Sequence, residues 1–143
     1  LDVEKWQVMD LPPVDKMDLK IRGDGSQRKF TGVEVPGNGE PLQESQAMQG
    51  SCWVMTRAWW DKVIGKLQTE GYGPMYQDSH EMVFKTWQAG GKLMVNKNTW
   101  FAHKHVSFPR THRYGNTDFY PNLKYAHDLW RPYYEEIKKQ WKV

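Results

Sequence analysis

The chain has 143 residues, the usual size of one domain, and its apolar and charged contents are typical of a folded protein. Its net charge is +3 and neither sign forms a long block, which argues against a nucleic-acid partner. A single cysteine excludes an internal disulfide, and no apolar run reaches the length of a membrane span, so we expect a cytoplasmic location.

The first 47 residues are interrupted by proline and glycine clusters. These clusters leave room only for short strands at residues 17–22 and 29–35. We interpret residues 1–47 as loops and short strands that cover a core built by the rest of the chain. The three segments of the chain, with boundaries after residues 47 and 108, are expected to form one domain.

Residues 48–108 begin with an apolar run at residues 48–56 that has the length of a buried strand. Cys52 lies within this run, which favours a small buried side chain. The run therefore predicts the first strand of an α/β unit.

Helices and a second strand follow in this unit. Apolar residues recur at helical spacing in residues 58–67 and again in residues 79–89, so each segment predicts a helix with one face on a sheet. The pair Gly90-Gly91 supplies the stop that helices commonly use. Residues 93–101 are then predicted to return as a strand.

Residues 109–143 combine an aromatic and basic loop with a predicted helix at residues 123–141. Pro132 lies inside this segment and could begin a new helix there. The apolar face of this helix is expected to contain Leu129, Tyr133, Ile137 and Trp141.

Eight tryptophans are present, and their flat faces suit both sugar rings and protein cores. Trp59, Trp60 and Trp87 lie on the predicted helices, where packing against the sheet is the expected role. Trp53 and Trp100 lie in the predicted strands, nearer the edge where ligands of α/β sheets bind. We therefore predict that Trp53 and Trp100 contact a sugar.

An acid precedes a W-x-x-G-G turn, and a histidine follows the next strand. Asp78 lies nine residues before Trp87, and His103 lies after the strand; Glu81 and Lys85 complete the pattern. This order resembles the carboxyl half of the catalytic domain of GT-A glycosyltransferases of family 2, most closely the polypeptide N-acetylgalactosaminyltransferase-like branch. The resemblance, over about two-fifths of the chain, implies an α/β fold with a small mixed sheet and flanking helices, equivalent to the acceptor-side half of GT-A.

The resemblance implies catalytic roles for two acids. It gives Asp78 the place of the carboxylate that, in inverting members, deprotonates the acceptor hydroxyl, with Glu81 beside it. The same two residues also have the form of a helix cap, in which Asp78 accepts from early amides and Glu81 reaches back. The two interpretations do not exclude each other.

The resemblance also implies a metal and a donor sugar. His103 falls on a histidine that holds a divalent cation, usually Mn²⁺, and His105 points to the same side if the strand continues. Gly50 and Ser51 would lie close to the transferred sugar. Arg110 lies in a loop that could fold over a diphosphate, although a solvated surface loop is also possible.

The implied activity is transfer of a hexose or N-acetylhexosamine from a nucleotide-sugar to a carbohydrate or protein hydroxyl. The first 47 residues lack the nucleotide-binding half of the family, and the D-x-H sequence at Asp78 follows glycine and proline rather than an apolar strand. We therefore expect a fragment of a longer enzyme, a chain that pairs with a nucleotide-binding half or with itself, or a protein that has lost catalysis.

Two other function classes remain open. A metal-dependent hydrolase could use Asp78, His80, His103 and His105, although no compact H-E-x-x-H pair is present. A non-catalytic carbohydrate-binding or assembly module would use the tryptophans as its contact surface.

Overall fold

A computed structural model of the chain describes residues 16–25, 28–48, 52–68, 70–72, 78–99 and 120–140. Within these residues it contains four strands and three α-helices, so the predicted combination of helices and strands is confirmed. In this part of the chain, no helix combines the length and apolarity needed to cross a membrane.

The first two strands form an antiparallel hairpin. Strand β1 covers Lys16–Arg22 and β2 covers Lys29–Val35, with a register that runs from Lys16 opposite Val35 to Arg22 opposite Lys29. The predicted positions of both strands are confirmed to within one residue.

A second antiparallel pair joins distant parts of the chain. Strand β3, Leu42–Ser45, pairs with β4, Leu93–Asn96. The Ser45 hydroxyl accepts from the Met17 amide at 3.0 Å, and the amide of Ala47 donates to the Met17 carbonyl at 3.1 Å, which ties β3 to β1. The described strands therefore form two small antiparallel sheets, and the prediction of one mixed sheet is wrong for this part of the chain.

Two predicted strands are shorter or absent for local reasons. Strand β4 ends at Asn96, whose side-chain oxygen accepts from the Asn98 amide at 2.9 Å and turns the chain, so residues 97–99 do not continue it. Residues 52–56 form no strand, and the partner of β4 is β3. Cys52 is exposed there, so the prediction of a buried thiol is wrong.

The first helical segment is short and changes type. Helix α1 covers Arg57–Trp59, and a π-helical segment continues through Trp60–Ile64. Gly65 ends it with a φ of 59°, which side chains disfavour. The predicted helix at residues 58–67 is therefore confirmed in place but ends three residues early.

Helix α2 covers Asp78–Gln88 and agrees with the predicted helix to within one residue at each end. Gly90 follows with a φ of 73°, and the Gly91 amide donates to the Thr86 carbonyl at 2.9 Å. This closing turn confirms the predicted glycine stop.

Helix α3 covers Tyr120–Gln140 and passes through Pro132 without a new start. Pro132 is exposed, so water can replace the hydrogen bond that proline does not donate. The buried face is rotated from the predicted one, since Tyr133 is 39% exposed whereas Trp130 and Tyr134 are buried. Trp141 lies outside the described residues.

The core is aromatic and involves the amino-terminal strands. The buried core residues come from the first hairpin, the segment after β3, helix α2 and helix α3: Leu19, Phe30, Ala47, Val83, Phe84, Trp87, Trp130, Tyr134 and Ile137. The Tyr134 hydroxyl donates to the Leu19 carbonyl at 3.1 Å and so connects α3 to β1. The prediction that residues 1–47 merely cover a core is therefore wrong, because Leu19 and Phe30 are part of it.

Candidate functional site

Asp78 is the first residue of α2, and its side chain is half-buried. Helix α2 is fixed behind it by Val83, Phe84 and Trp87, which face the core. Amide dipoles at a helix start stabilise anionic groups, which favours an acid at this position of α2. The core thus holds the helix that carries Asp78.

Glu81 lies one turn further along α2 and is only 1% exposed. Both carboxylate oxygens accept from the backbone amide of Gln68 at 3.0 Å, and the Lys85 ammonium lies 2.7 Å away. Glu81 therefore bonds to a distant loop amide, whereas the capping interpretation had it reach back to the start of its own helix.

Lys85 extends this set of contacts. Its ammonium donates to the carbonyl oxygens of Ile64 at 2.9 Å and Lys66 at 3.0 Å. Glu81, Lys85 and the Gln68 backbone, which we call the loop clamp, satisfy each other's polar groups near the core. The loop clamp fixes the end of the π-helical segment and the following residues against α2.

Two tyrosines connect the same loop to α3. The Gln68 side-chain amide donates to the Tyr125 hydroxyl at 2.6 Å, and the Trp130 indole donates to the Tyr72 hydroxyl at 2.9 Å. Burial raises the pKa of Tyr72 to about 12, although the hydrogen bond from Trp130 opposes this shift. Sequence reasoning missed Gln68, Tyr72 and Tyr125, because nothing in their local pattern shows which distant groups they meet.

Two histidine rings lie near the ring of Phe30. Their rings lie 6.1 Å (His80) and 5.4 Å (His127) from the Phe30 ring. Burial lowers the pKa of His80 to about 4, and the charge of Asp78 opposes that shift. His127 is 1% exposed, with Nδ1 2.9 Å from the Asp128 carboxylate. Sequence reasoning missed His127, although it lies three residues before the buried Trp130.

A second aromatic feature lies on the surface. Trp53 and Trp60 stack with ring centroids 5.9 Å apart and planes 4° from parallel, and Trp53 is 41% exposed. Trp53 precedes α1 in an irregular segment, so it does not lie in a strand as predicted. Of the three tryptophans that were predicted to lie on helices and pack against the sheet, Trp87 is buried as predicted, whereas Trp59 and Trp60 are half-buried.

The remaining predicted site residues lie outside the described part of the chain: Gly50, Ser51, Trp100, His103, His105 and Arg110. Within the described ranges, no group of three or more histidine, cysteine, aspartate or glutamate side chains could hold a metal ion. Of the four residues predicted for a hydrolase, Asp78 and His80 are described, and His80 packs near Phe30. The predicted Mn²⁺ site therefore depends on His103 and His105.

Comparison with known proteins found no match for this chain. No protein-family model matches the chain, and neither the curated proteins nor the solved structures searched provide a match. The resemblance to family 2 glycosyltransferases therefore stays a prediction from sequence motifs.

Proposed function

We propose that this chain is the acceptor-side half of a GT-A glycosyltransferase, in which Asp78 is the general base. The observation that carries the proposal is the contrast between two acids one turn apart on α2. Asp78 is half-buried at the helix start, whereas Glu81 is buried and occupied by Gln68 and Lys85. Asp78 is therefore partly open to solvent, as a general base must be to reach a substrate, whereas Glu81 is closed off.

The local order of elements supports the same assignment. Helix α2 starts at Asp78, Gly90 stops it, and strand β4 follows from Leu93. This is the acid, helix, glycine turn and strand sequence on which the family resemblance rests. Strand β4 packs through Leu93 against the same core as α2, so the helix that begins at Asp78 and this strand belong to one packed unit.

The chemistry assigned to Asp78 is proton transfer. Its carboxylate accepts the proton of the acceptor hydroxyl as that oxygen attacks the anomeric carbon of the donor sugar. The bond from the sugar to the nucleoside diphosphate breaks, and the diphosphate leaves with the bonding electrons. Glu81 acts as a positioning residue, since the loop clamp holds the segment through Gln68 against the helix that carries Asp78.

A metal and a nucleotide-binding half complete the proposed enzyme. His103 and His105 would hold Mn²⁺, which would neutralise charge on the diphosphate. The nucleotide would be bound by a half that precedes this chain or by a second chain. The nucleotide-sugar donor and a hydroxyl acceptor are the proposed substrates.

The test is a transfer assay with nucleotide-sugars and Mn²⁺, in which the chain is joined to its nucleotide-binding half. Asp78→Asn is expected to lower the turnover number by about 100-fold or more, because the general base is lost. Its unfolding midpoint and donor affinity should stay close to those of the parent. Glu136→Gln, at an exposed acid of α3, is the matched control and should keep full turnover.

An unchanged turnover number in Asp78→Asn would reject the assignment of the base. Absence of nucleotide-sugar turnover by the joined protein would reject the transferase itself.

A further inference from the structure

We propose that Trp53 and Trp60, together with Arg57 and Asp61, form a binding platform for one neutral sugar ring. We call these four residues the indole platform. The proposal rests on the proposed function in one respect, since it assigns the acceptor of the transfer to the saccharide class. Its test is a binding measurement that needs neither nucleotide nor turnover.

The first step is the geometry of the two indoles. Trp60 stacks parallel to Trp53, with 5.9 Å between ring centroids and 4° between planes. Trp53 nevertheless keeps 41% of its surface exposed. The stacking contact therefore restrains the Trp53 ring, and the exposed part of the residue is available to a ligand. Aromatic rings pack favourably against the C–H faces of pyranoses, and a ring that is already fixed loses little freedom on binding.

The second step is the polar border of the platform. Arg57 lies three and four residues before Trp60 and Asp61, so the three side chains share one side of the helical segment. The Arg57 Nε atom lies 2.9 Å from both Asp61 oxygens, and these side chains are 84% and 54% exposed. Guanidinium donors and carboxylate acceptors beside a flat ring can bond the hydroxyls around a sugar.

The charge and size of the indole platform favour a single neutral sugar ring. Arg57 and Asp61 balance each other, which favours a neutral saccharide over an anionic one. Val54, which follows Trp53 in the chain, is also apolar and is 94% exposed. Two side chains supply far less than the roughly 800 Å² per partner of a stable protein interface, but they match the footprint of a single ring.

The experiment follows the indole N–H signals of the ¹⁵N-labelled chain by NMR during titration with methyl β-glucoside, methyl β-galactoside and methyl N-acetyl-β-glucosaminide. Sorbitol, an acyclic polyol with similar hydroxyls, is the probe that lacks a ring face. The Trp53 signal is assigned from its loss in Trp53→Phe. At least one glycoside should shift this signal saturably, and sorbitol should not.

Three variants test the assignment. Trp53→Ala should raise the glycoside Kd by about tenfold or more, and Trp53→Phe by less, because it keeps a flat ring. Asp61→Asn should weaken binding by a few-fold through loss of charge-assisted bonds. Tyr133→Ala is the matched control: its ring is 39% exposed and lies 5.7 Å from Trp130, and its removal should leave the Kd unchanged.

Glycoside affinity that is the same in Trp53→Ala, equal shifts with sorbitol, or no saturable shift would overturn the proposal. So would light scattering in which Trp53→Ala dissociates an oligomer while glycosides have no effect, since the platform would then contact a second copy. These outcomes are separate from the transfer assay. Loss of glycoside binding in Trp53→Ala together with unchanged turnover in Asp78→Asn would keep the platform and reject the proposed base.

Discussion

Two aromatic pairs in this molecule have nearly the same geometry and opposite surroundings. Phe84 and Trp130 stack with centroids 5.3 Å apart and planes 3° from parallel, and both are buried between α2 and α3. Trp53 and Trp60 stack at 5.9 Å and 4°, with Trp53 41% exposed. Stacking geometry alone therefore does not distinguish a core contact from a surface available to a ligand.

The same contrast recurs in two ion pairs of identical spacing. Glu81 and Lys85 pair at 2.7 Å with the glutamate side chain 2% exposed, and Arg57 and Asp61 pair at 2.9 Å with 84% and 54% exposed side chains. The core pair holds a loop amide through Glu81, and the surface pair lies on the short helical segment that also carries Trp60. Burial decides which pair stabilises the fold and which remains available to a partner.

The largest expected effect separates the two aromatic pairs. Trp130→Ala should lower the free energy of unfolding by about 3–5 kcal/mol, because it leaves a cavity beside Phe84. It also removes the 2.9 Å hydrogen bond to the Tyr72 hydroxyl. Trp53→Ala should lower the same quantity by only about 1 kcal/mol, since Trp53 is 41% exposed and its removal leaves no closed cavity. Urea unfolding of both variants tests the contrast, and equal losses would contradict it.

The second largest difference in unfolding free energy is expected between the two ion pairs. Glu81→Gln should cost about 2–3 kcal/mol of unfolding free energy, because Lys85 loses a buried charge partner and the Gln68 amide loses a charged acceptor. Asp61→Asn, the control at equal helical spacing, should cost about 0.5 kcal/mol or less. Thermal unfolding followed by circular dichroism measures both. A Glu81→Gln protein as stable as the parent would show that the loop clamp contributes nothing.

Two glycines at positive φ sharpen the comparison at the level of the backbone. Gly71 has a φ of 88°, and a Cβ atom there would overlap the Tyr125 ring. Gly65 has a φ of 59°, with nothing within 4 Å of such an atom. Gly71→Ala should therefore cost about 2 kcal/mol, from strain and overlap, and Gly65→Ala about 1 kcal/mol from strain alone. Chemical denaturation of the pair measures the difference, and a larger loss for Gly65→Ala would contradict it.

The smallest predicted effect is a pH dependence that belongs to the core region. Burial lowers the pKa of His80 from 6.5 to about 4, so the unfolded chain binds this proton more readily than the folded one. The contribution to stability is present above pH 6.5 and is lost as the pH falls toward 4. Between pH 6.5 and about pH 5.5 the loss should be about 1 kcal/mol.

Urea unfolding across this pH range, compared between the parent and His80→Gln, measures the His80 contribution. The substitution should flatten the pH dependence. Asp78→Asn should steepen it, because the charge of Asp78 favours protonated His80. Identical pH profiles in the parent and His80→Gln would remove His80 as the cause.

Helix α2 and the positions of strands β1 and β2 were predictable because their signals are local. Apolar spacing and the glycine pair placed α2 to within one residue at each end, and glycine and proline positions delimited β1 and β2. The partner of β4 was not predictable, because β3 lies about 50 residues earlier and carries no distinctive pattern. The shortened strand at Asn96 depended on a single side-chain hydrogen bond.

The residues of the candidate site were likewise only partly predictable from the sequence. The order of residues singled out Asp78 and Glu81 together, and only burial assigned them different surroundings. Trp53 was predicted to contact a sugar from its residue type and sequence position, but its stacking on Trp60 is a feature of the folded chain.

The sequence by itself determined where α2, β1 and β2 lie, and it placed Asp78 and Glu81 together at the start of α2. Backbone preference and side-chain periodicity act over a few residues, so they can be read locally. The tertiary structure alone decided that Glu81 is occupied by Gln68, that Leu19 and Phe30 belong to the core, and that Trp53 remains exposed. Burial depends on groups that are distant in the chain, and these meet only when the helices and sheets pack.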